Sequence, residues 1–115
     1  MSAGLRIELE EIEHRVILRI DGRLDAASAP ILDRKMSDLI EEDHNLLILD
    51  FTQIDYLSSA GMRVLLSAAK KLKGKKGELI LFAVSDDVGE IIKMAGFDKI
   101  LHIVSSEKEA LQFNK

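Results

Sequence analysis

Residues 46–66 read LLILDFTQIDYLSSAGMRVLL and contain two different periodicities in immediate succession. The first part, centred on LLILDF, is a nearly continuous apolar run of the kind found in strands that are buried on both faces. From position 59 onward, apolar residues recur three or four positions apart, which predicts a helix over 59–72. A doubly buried strand that is followed by an amphipathic helix is typical of α/β domains.

The same alternation continues on both sides of this stretch. Alternating apolar residues at 5–9 and a run at 16–20 predict a hairpin of two strands, with a turn at Glu13-His14 and an end at Gly22. The remaining elements are predicted from apolar spacing and from start and stop residues. They are a helix over 28–42 with Pro30 in its first turn and Asp25 or Ser28 as its cap, strands at 45–51 and 78–84, a helix between Ser85 and Gly96, a strand at 99–104, and a short helix with a Ser106–Glu109 capping box.

The predicted order is β-β-α-β-α-β-α-β-α, which we interpret as one α/β domain over 1–115. Strands that are separated by helices require crossover connections, so the sheet of about five strands should be mixed but mostly parallel. We expect the first strand of the hairpin to lie at an edge and LLILDF to lie near the middle. The helices over 28–42 and 59–72 should pack on one face.

Composition excludes several classes of function. The chain has 115 residues, of which 47% are hydrophobic, enough for one core. Its net charge of −4 gives no electrostatic basis for direct nucleic-acid binding. Cysteine is absent, and no apolar run approaches the roughly 20 residues that span a bilayer. We therefore expect a cytoplasmic protein that has no membrane contact.

Catalytic and metal-binding motifs are weak in this sequence. The three histidines, His14, His44 and His102, lack the spacing of a metal site, so we predict no metal. The GKKG run at 74–77 follows a predicted helix instead of opening one, so no phosphate-binding loop and no cofactor are predicted. Around Ser59 the chain reads LSSAG, which lacks the first glycine of a hydrolase G-x-S-x-G motif. A serine hydrolase that uses Ser59 remains a distant alternative.

Two adjacent serines precede the helix over 59–72, although a helix needs only one N-cap. Ser58 suits the cap better, because Ser59 then becomes the first helical residue and its hydroxyl has no structural role. The small residues Ala60 and Gly61 leave the backbone uncovered at this point. Such a helix start could accept a close protein partner or an added phosphate.

Two segments give the chain a family resemblance. The stretch 46–66, together with GRLDAASA at 22–29, resembles the bacterial anti-sigma factor antagonists, whose fold is the STAS domain. In that family, a serine two residues before a glycine at this helix start is phosphorylated by a partner anti-sigma factor that is also a kinase. By position this serine is Ser59, since Gly61 is the glycine. Many members have an aspartate where this chain has Ser58, which raises the question of which serine is modified.

The resemblance implies a switch protein that is not an enzyme. Unmodified, it would bind an anti-sigma factor/serine kinase and free a sigma factor; phosphorylated on Ser59, it would release the kinase until a phosphatase removed the phosphate. We expect a monomer. The implied partner-binding residues are Asp25, Ala26, Ser28, Ser58, Ser59, Gly61 and Met62. A non-switching STAS scaffold or a transport-associated subunit is the main alternative.

Overall fold

A computed structural model describes residues 4–113 of the chain. Within these residues, strands and helices follow one another in the predicted order, so the predicted α/β architecture is confirmed. The elements are β1 (Leu5–Ile12), β2 (Arg15–Leu24), α1 (Ala29–Glu41), β3 (Leu46–Leu57), α2 (Ser59–Gly74), β4 (Glu78–Phe82), α3 (Asp86–Met94), β5 (His102–Val104) and α4 (Glu107–Leu111).

The sheet has the spatial order β1-β2-β3-β4-β5, so every strand lies beside its neighbour in the chain. β1 is antiparallel to β2, and the other pairs are parallel. When a parallel sheet grows in one direction, right-handed crossovers bring the connecting helices to the same face. Leu32 of α1, Leu65 of α2 and Ile92 of α3 accordingly lie in one buried cluster. The predicted edge strand, central strand and shared helix face are confirmed.

The opposite face of the sheet is covered by the short helix α4. Ala110 of α4 packs in a smaller cluster with Ile17, Ile48 and Ile80. Ile48 therefore points to α4 while its neighbour Leu47 belongs to the three-helix side, and both side chains are fully buried. This two-sided burial explains why LLILDF is apolar at nearly every position.

Beside α4, this second face carries an ion cluster around Arg19 of β2. Its guanidinium donates to Glu10 of β1 at 2.8 Å, to Asp50 of β3 at 2.9 Å and to Glu107 of α4 at 2.8 Å. The hydrogen bond to Glu107, with those to Asp50 and Glu10, raises the pKa of Arg19 above its ordinary value. One arginine thus connects the edge strand, the central strand and the last helix.

Several element ends differ from the prediction. β2 does not end at Gly22 but continues to Leu24 after an irregularity in its pairing with β3. Gly22 has φ +130°, and a Cβ there would lie 1.7 Å from the carbonyl oxygen of Gly4, so its glycine is needed within the strand. β3 runs six residues beyond Phe51, to Leu57.

The last strand and the last cap also differ in detail. β5 begins at His102 and not at 99, because a turn occupies 98–100 and the Leu101 N–H bonds to the Phe97 carbonyl. Ser106 caps α4 by accepting from the Glu109 N–H at 3.2 Å. The Glu109 carboxylate, however, accepts from the Ser105 hydroxyl. The capping box is therefore formed on one side only.

The other predicted start and stop residues of the helices are present at the expected positions. Ser85 caps α3 by accepting from the Val88 N–H at 3.2 Å, and Gly96 follows the end of that helix. Pro30 lies in the first turn of α1. In the part of the chain from 4 to 113, no helix combines the length and the apolarity that crossing a bilayer requires.

Candidate functional site

The carboxyl ends of β2 and β3 bring two serine-containing segments together. We call residues 25–28 the Asp25 loop and residues 58–61 the α2 start. Leu24 pairs with Leu57 across the two strands, and its carbonyl accepts a hydrogen bond from the Ser58 N–H at 2.9 Å. Parallel strands present their carboxyl ends at one edge of a sheet, so the segments that follow them lie side by side.

Ser58 is the N-cap of α2. Its backbone is extended, with φ −89° and ψ 172°, and its Oγ accepts from the Gly61 N–H at 3.1 Å. Its carbonyl accepts from the Met62 N–H at 2.9 Å, the first regular hydrogen bond of the helix. The prediction that Ser58 caps α2 is confirmed, because its side-chain oxygen bonds to a backbone N–H group of the helix.

Ser59 is the first helical residue and is exposed. Among residues 4–113 its hydroxyl has no hydrogen-bond partner, and the N–H groups of Ser59 and Ala60 have none either. The positive end of the helix dipole lies here, so an added dianion would be favourable. No described base contacts the hydroxyl, which makes Ser59 better suited to accept a group than to act as an activated nucleophile.

Gly61 lies beneath the α2 start and not on its surface. A Cβ at this position would lie 2.7 Å from Cγ of Leu24 and 2.9 Å from the Leu24 carbonyl oxygen. Glycine therefore permits the close approach between α2 and the end of β2. Met62 is also buried, at 5% exposure, and borders a groove from below. These two residues support the surface on which Ser59 lies.

The Asp25 loop is held by its own side chains. Oδ1 of Asp25 accepts from the N–H groups of Ala27 at 3.1 Å and Ser28 at 3.0 Å. The Ser28 hydrogen bonds above all, with that of Ala27 and the nearby Arg23, keep the pKa of Asp25 below its ordinary value. The carboxylate thus fixes the loop while Ala26 and Ala27 remain exposed.

Ser28 corrects the expectation that it or Asp25 caps α1. It occupies the N-cap position, but its side chain makes no capping hydrogen bond. Its hydroxyl instead donates to the Arg23 carbonyl at 2.6 Å and accepts from the Asp25 N–H at 2.9 Å. Ser28 is fully buried, so its side chain stabilises the loop from inside and does not reach the surface.

Sequence reasoning missed a cation–π pair beside these segments. The Arg23 guanidinium lies 4.2 Å from the ring centroid of Tyr56, and its Nε is 4.0 Å from Oδ2 of Asp25. Arg23 and Tyr56 are register partners in β2 and β3. The predicted strands ended at Gly22 and Phe51, so this pairing could not be inferred from them.

An apolar groove beside Ser59 was also missed. It is open to solvent, has a volume of about 540 Å³ and runs between α2 and the end of α3. Tyr56 and Ile91 are 39% and 41% exposed on its walls. Its apolar lining comprises Tyr56, Leu57, Met62, Leu66, Ile91, Ala95 and Phe97. The signal was present as apolar residues in both helices, but their adjacency depends on the packing of α3.

A second, shallower groove lies on the other side of α2, toward α1. Ala26 of the Asp25 loop and Ala60 of the α2 start both line it, which shows that the two segments form one continuous surface. Of the predicted site residues, Asp25, Ala26, Ser58 and Ser59 reach this surface.

Within residues 4–113, no group of three histidine or acidic side chains is placed to hold a metal ion.

Comparison with known proteins finds a consistent set of relatives. The STAS domain model matches residues 6–110. The putative anti-sigma factor antagonist BtrV of Bordetella bronchiseptica is 29% identical over 106 residues, covering 92% of this chain and 91% of that protein. The crystal structure of an anti-sigma factor antagonist from Mycobacterium paratuberculosis superposes with a TM-score of 0.86 at 22% identity, covering 96% of each chain. The Bacillus cell fate determinant SpoIIAA in its phosphorylated form gives a TM-score of 0.74 at 21% identity, covering 96% of this chain and 100% of that one.

Proposed function

The chain belongs to the STAS domain family, and on this premise we propose that it is an anti-sigma factor antagonist controlled by phosphorylation of Ser59. In its unmodified form it binds an anti-sigma factor that is also a serine kinase. Transfer of a phosphate to Ser59 ends that complex, and a phosphatase restores the binding form. The role is regulatory and not catalytic.

The observation that carries the proposal is that the two adjacent serines have different roles in the structure. Ser58 is engaged as the cap, whereas Ser59 presents a hydroxyl that is exposed and makes no hydrogen bond within residues 4–113. The name of the Bordetella relative supports the antagonist role, and the SpoIIAA structure in its phosphorylated form supports control by phosphorylation. A kinase can therefore reach Ser59 without unfolding the helix start.

The switch follows from electrostatics and needs no change of fold. A phosphoserine carries about −1.5 to −2 charges at pH 7, in a place where the unmodified surface has a small hydroxyl. A partner packed closely against Ser59 and Ala26 would have to desolvate that charge or move away. A loss of about 4 kcal/mol in binding free energy lowers affinity roughly a thousandfold, enough for release.

The partner side of the proposal is tested by using Ser59→Ala as bait. This variant cannot be phosphorylated on that residue and should stay bound to its kinase, so the kinase can be recovered from native cells and identified by mass spectrometry. The wild-type chain, treated with the recovered kinase and ATP, should lose the kinase in the same pull-down. Ser58→Ala is the matched control, since it removes a neighbouring hydroxyl and leaves Ser59 intact.

The modified residue is identified by mapping the phosphate with fragment mass spectrometry. We expect phosphate on Ser59 in the wild type and in Ser58→Ala, and none in Ser59→Ala. Phosphate on Ser58 in the wild type would reverse the assignment. A partner that binds the wild type and is never able to modify it would instead identify a non-switching scaffold.

A further inference from the structure

Arg63 is the cation best placed to meet a phosphate on Ser59. The two residues are four positions apart on α2, so their side chains lie on the same side of the helix, one turn apart. Both are exposed, and both border the apolar groove between α2 and α3. Arg63 is also the first basic residue of α2; the next, Lys70, lies seven positions further on.

Arg63 is available in a way that the neighbouring arginine is not. Within residues 4–113 it has no ion-pair partner. Arg23, in contrast, stacks on Tyr56 and approaches Asp25 to 4.0 Å. Asp33 shares the shallower groove with Arg63 but makes no ion pair with it. An anion that appears on Ser59 therefore meets an uncommitted guanidinium one turn away.

We propose that Arg63 binds the phosphate of phosphorylated Ser59 and fixes it at the edge of the apolar groove, an inference that rests on the proposed modification of Ser59. A guanidinium can donate two parallel hydrogen bonds to phosphate oxygens, which gives direction as well as attraction. The order also fits, because an acidic group N-terminal to a basic one at this spacing is the favourable orientation in a helix.

This capture gives the modification a second effect besides repulsion. A phosphate bound to Arg63 lies over the polar end of the groove whose walls include Tyr56 and Ile91. A partner that inserts an apolar side chain there would meet an ordered, hydrated anion and would also lose access to the Arg63 guanidinium. Arg63 is in this sense a positioning residue for the switch.

The test compares four proteins that carry serine or genetically encoded phosphoserine at position 59, each with Arg63 or with Arg63→Met. Phosphorus NMR follows the titration of the phosphate. Arg63→Met should raise the pKa of the phosphate, with a roughly threefold fall in its acid dissociation constant. Phosphorylation should raise the melting temperature by about 3 °C more in the protein with Arg63 than in Arg63→Met.

Two controls separate a specific pair from general charge. Arg34→Met removes an exposed guanidinium from α1, with the same change in net charge, and should leave the phosphate titration unchanged. Arg63→Lys should restore part of the effect, since a lysine keeps the charge but not the paired donors. Equal titrations in the Arg63 and Arg63→Met phosphoproteins would overturn the inference. Because the phosphate is installed directly, this result is independent of whether a cellular kinase modifies Ser59.

Discussion

The Asp25 loop and the α2 start each place a serine at the N-cap of a helix, yet the two side chains form hydrogen bonds with different parts of the structure. Ser28 turns inward, is fully buried and bonds to the backbone of its own loop. Ser58 bonds to its helix, so the next residue, Ser59, is left exposed and without a structural task. The role of a capping-position serine therefore depends on which backbone groups nearby need a partner, and a spare hydroxyl arises only where that need is already met.

The largest effect on stability is expected where the α2 start contacts Leu24, the last residue of β2, from which the Asp25 loop continues. Gly61→Ala would place a Cβ 2.9 Å from the Leu24 carbonyl oxygen, which is backbone and cannot easily move. We expect a loss of about 3 kcal/mol in the free energy of unfolding, measured with urea. Gly89→Ala is the matched control in α3, where the nearest atom is Cγ1 of Val84 at 3.8 Å. That variant should be neutral or stabilising by up to about 1 kcal/mol.

The inward-facing serine should matter more for stability than the capping one. Ser28→Ala leaves the Arg23 carbonyl and the Asp25 N–H without their partner inside the protein. We expect a loss of about 2 kcal/mol in the free energy of unfolding and faster hydrogen exchange at the Asp25 amide. An unchanged exchange rate would mean that the loop keeps its shape without Ser28.

The capping serine should have a smaller effect on stability. Ser58→Ala removes one side-chain acceptor for the Gly61 N–H and should cost about 1 kcal/mol in the free energy of unfolding. Ser58→Asp offers another good capping group and should recover most of that loss. If both substitutions cost as much as Ser28→Ala, the proposed contrast between the two serines is wrong.

The smallest effect should be the pH dependence that Asp25 gives to the free energy of unfolding. The pKa of Asp25 is lower in the folded protein than its ordinary value, so its contribution to stability is present above about pH 4 and is lost as the pH falls through the folded pKa. Asp25→Asn removes this titration. The difference in unfolding free energy between wild type and Asp25→Asn should therefore be larger at pH 7 than at pH 2. A difference that grows on acidification would contradict the assignment.

The sheet and the α2 cap could be predicted because they depend on local pattern. The apolar run at 46–51 predicts burial on both faces, and the neighbouring small residues single out Ser58 as the cap. The parallel order follows from helices that separate consecutive strands. For these features, the apolar spacing, the cap residues and the core packing all favour the same structure, so the sequence specifies them strongly.

The surface around Ser59 was harder to predict because it depends on contacts between distant segments. β3 continues through TQIDYL, whose mixed polarity hides a strand that is covered on one side only. The Arg23–Tyr56 pair requires the register of β2 and β3 beyond a pairing irregularity. The inward turn of Ser28 is decided by the Arg23 carbonyl, which no local motif reveals. Tertiary context thus set the details of the candidate site.

The strand order has a consequence for how the chain acquires its structure. Each strand pairs with the one made just before it, so sheet formation never has to wait for a distant segment. Pairing between consecutive strands keeps contact order lower than pairing between more distant strands would, and it allows the sheet to grow from the N-terminus while the chain is still being synthesised. The Arg19–Glu107 bond, which spans 88 residues, can form only when α4 arrives. We expect Glu107→Gln to accelerate unfolding and leave the refolding rate unchanged in stopped-flow measurements, since this bond would be made after the transition state.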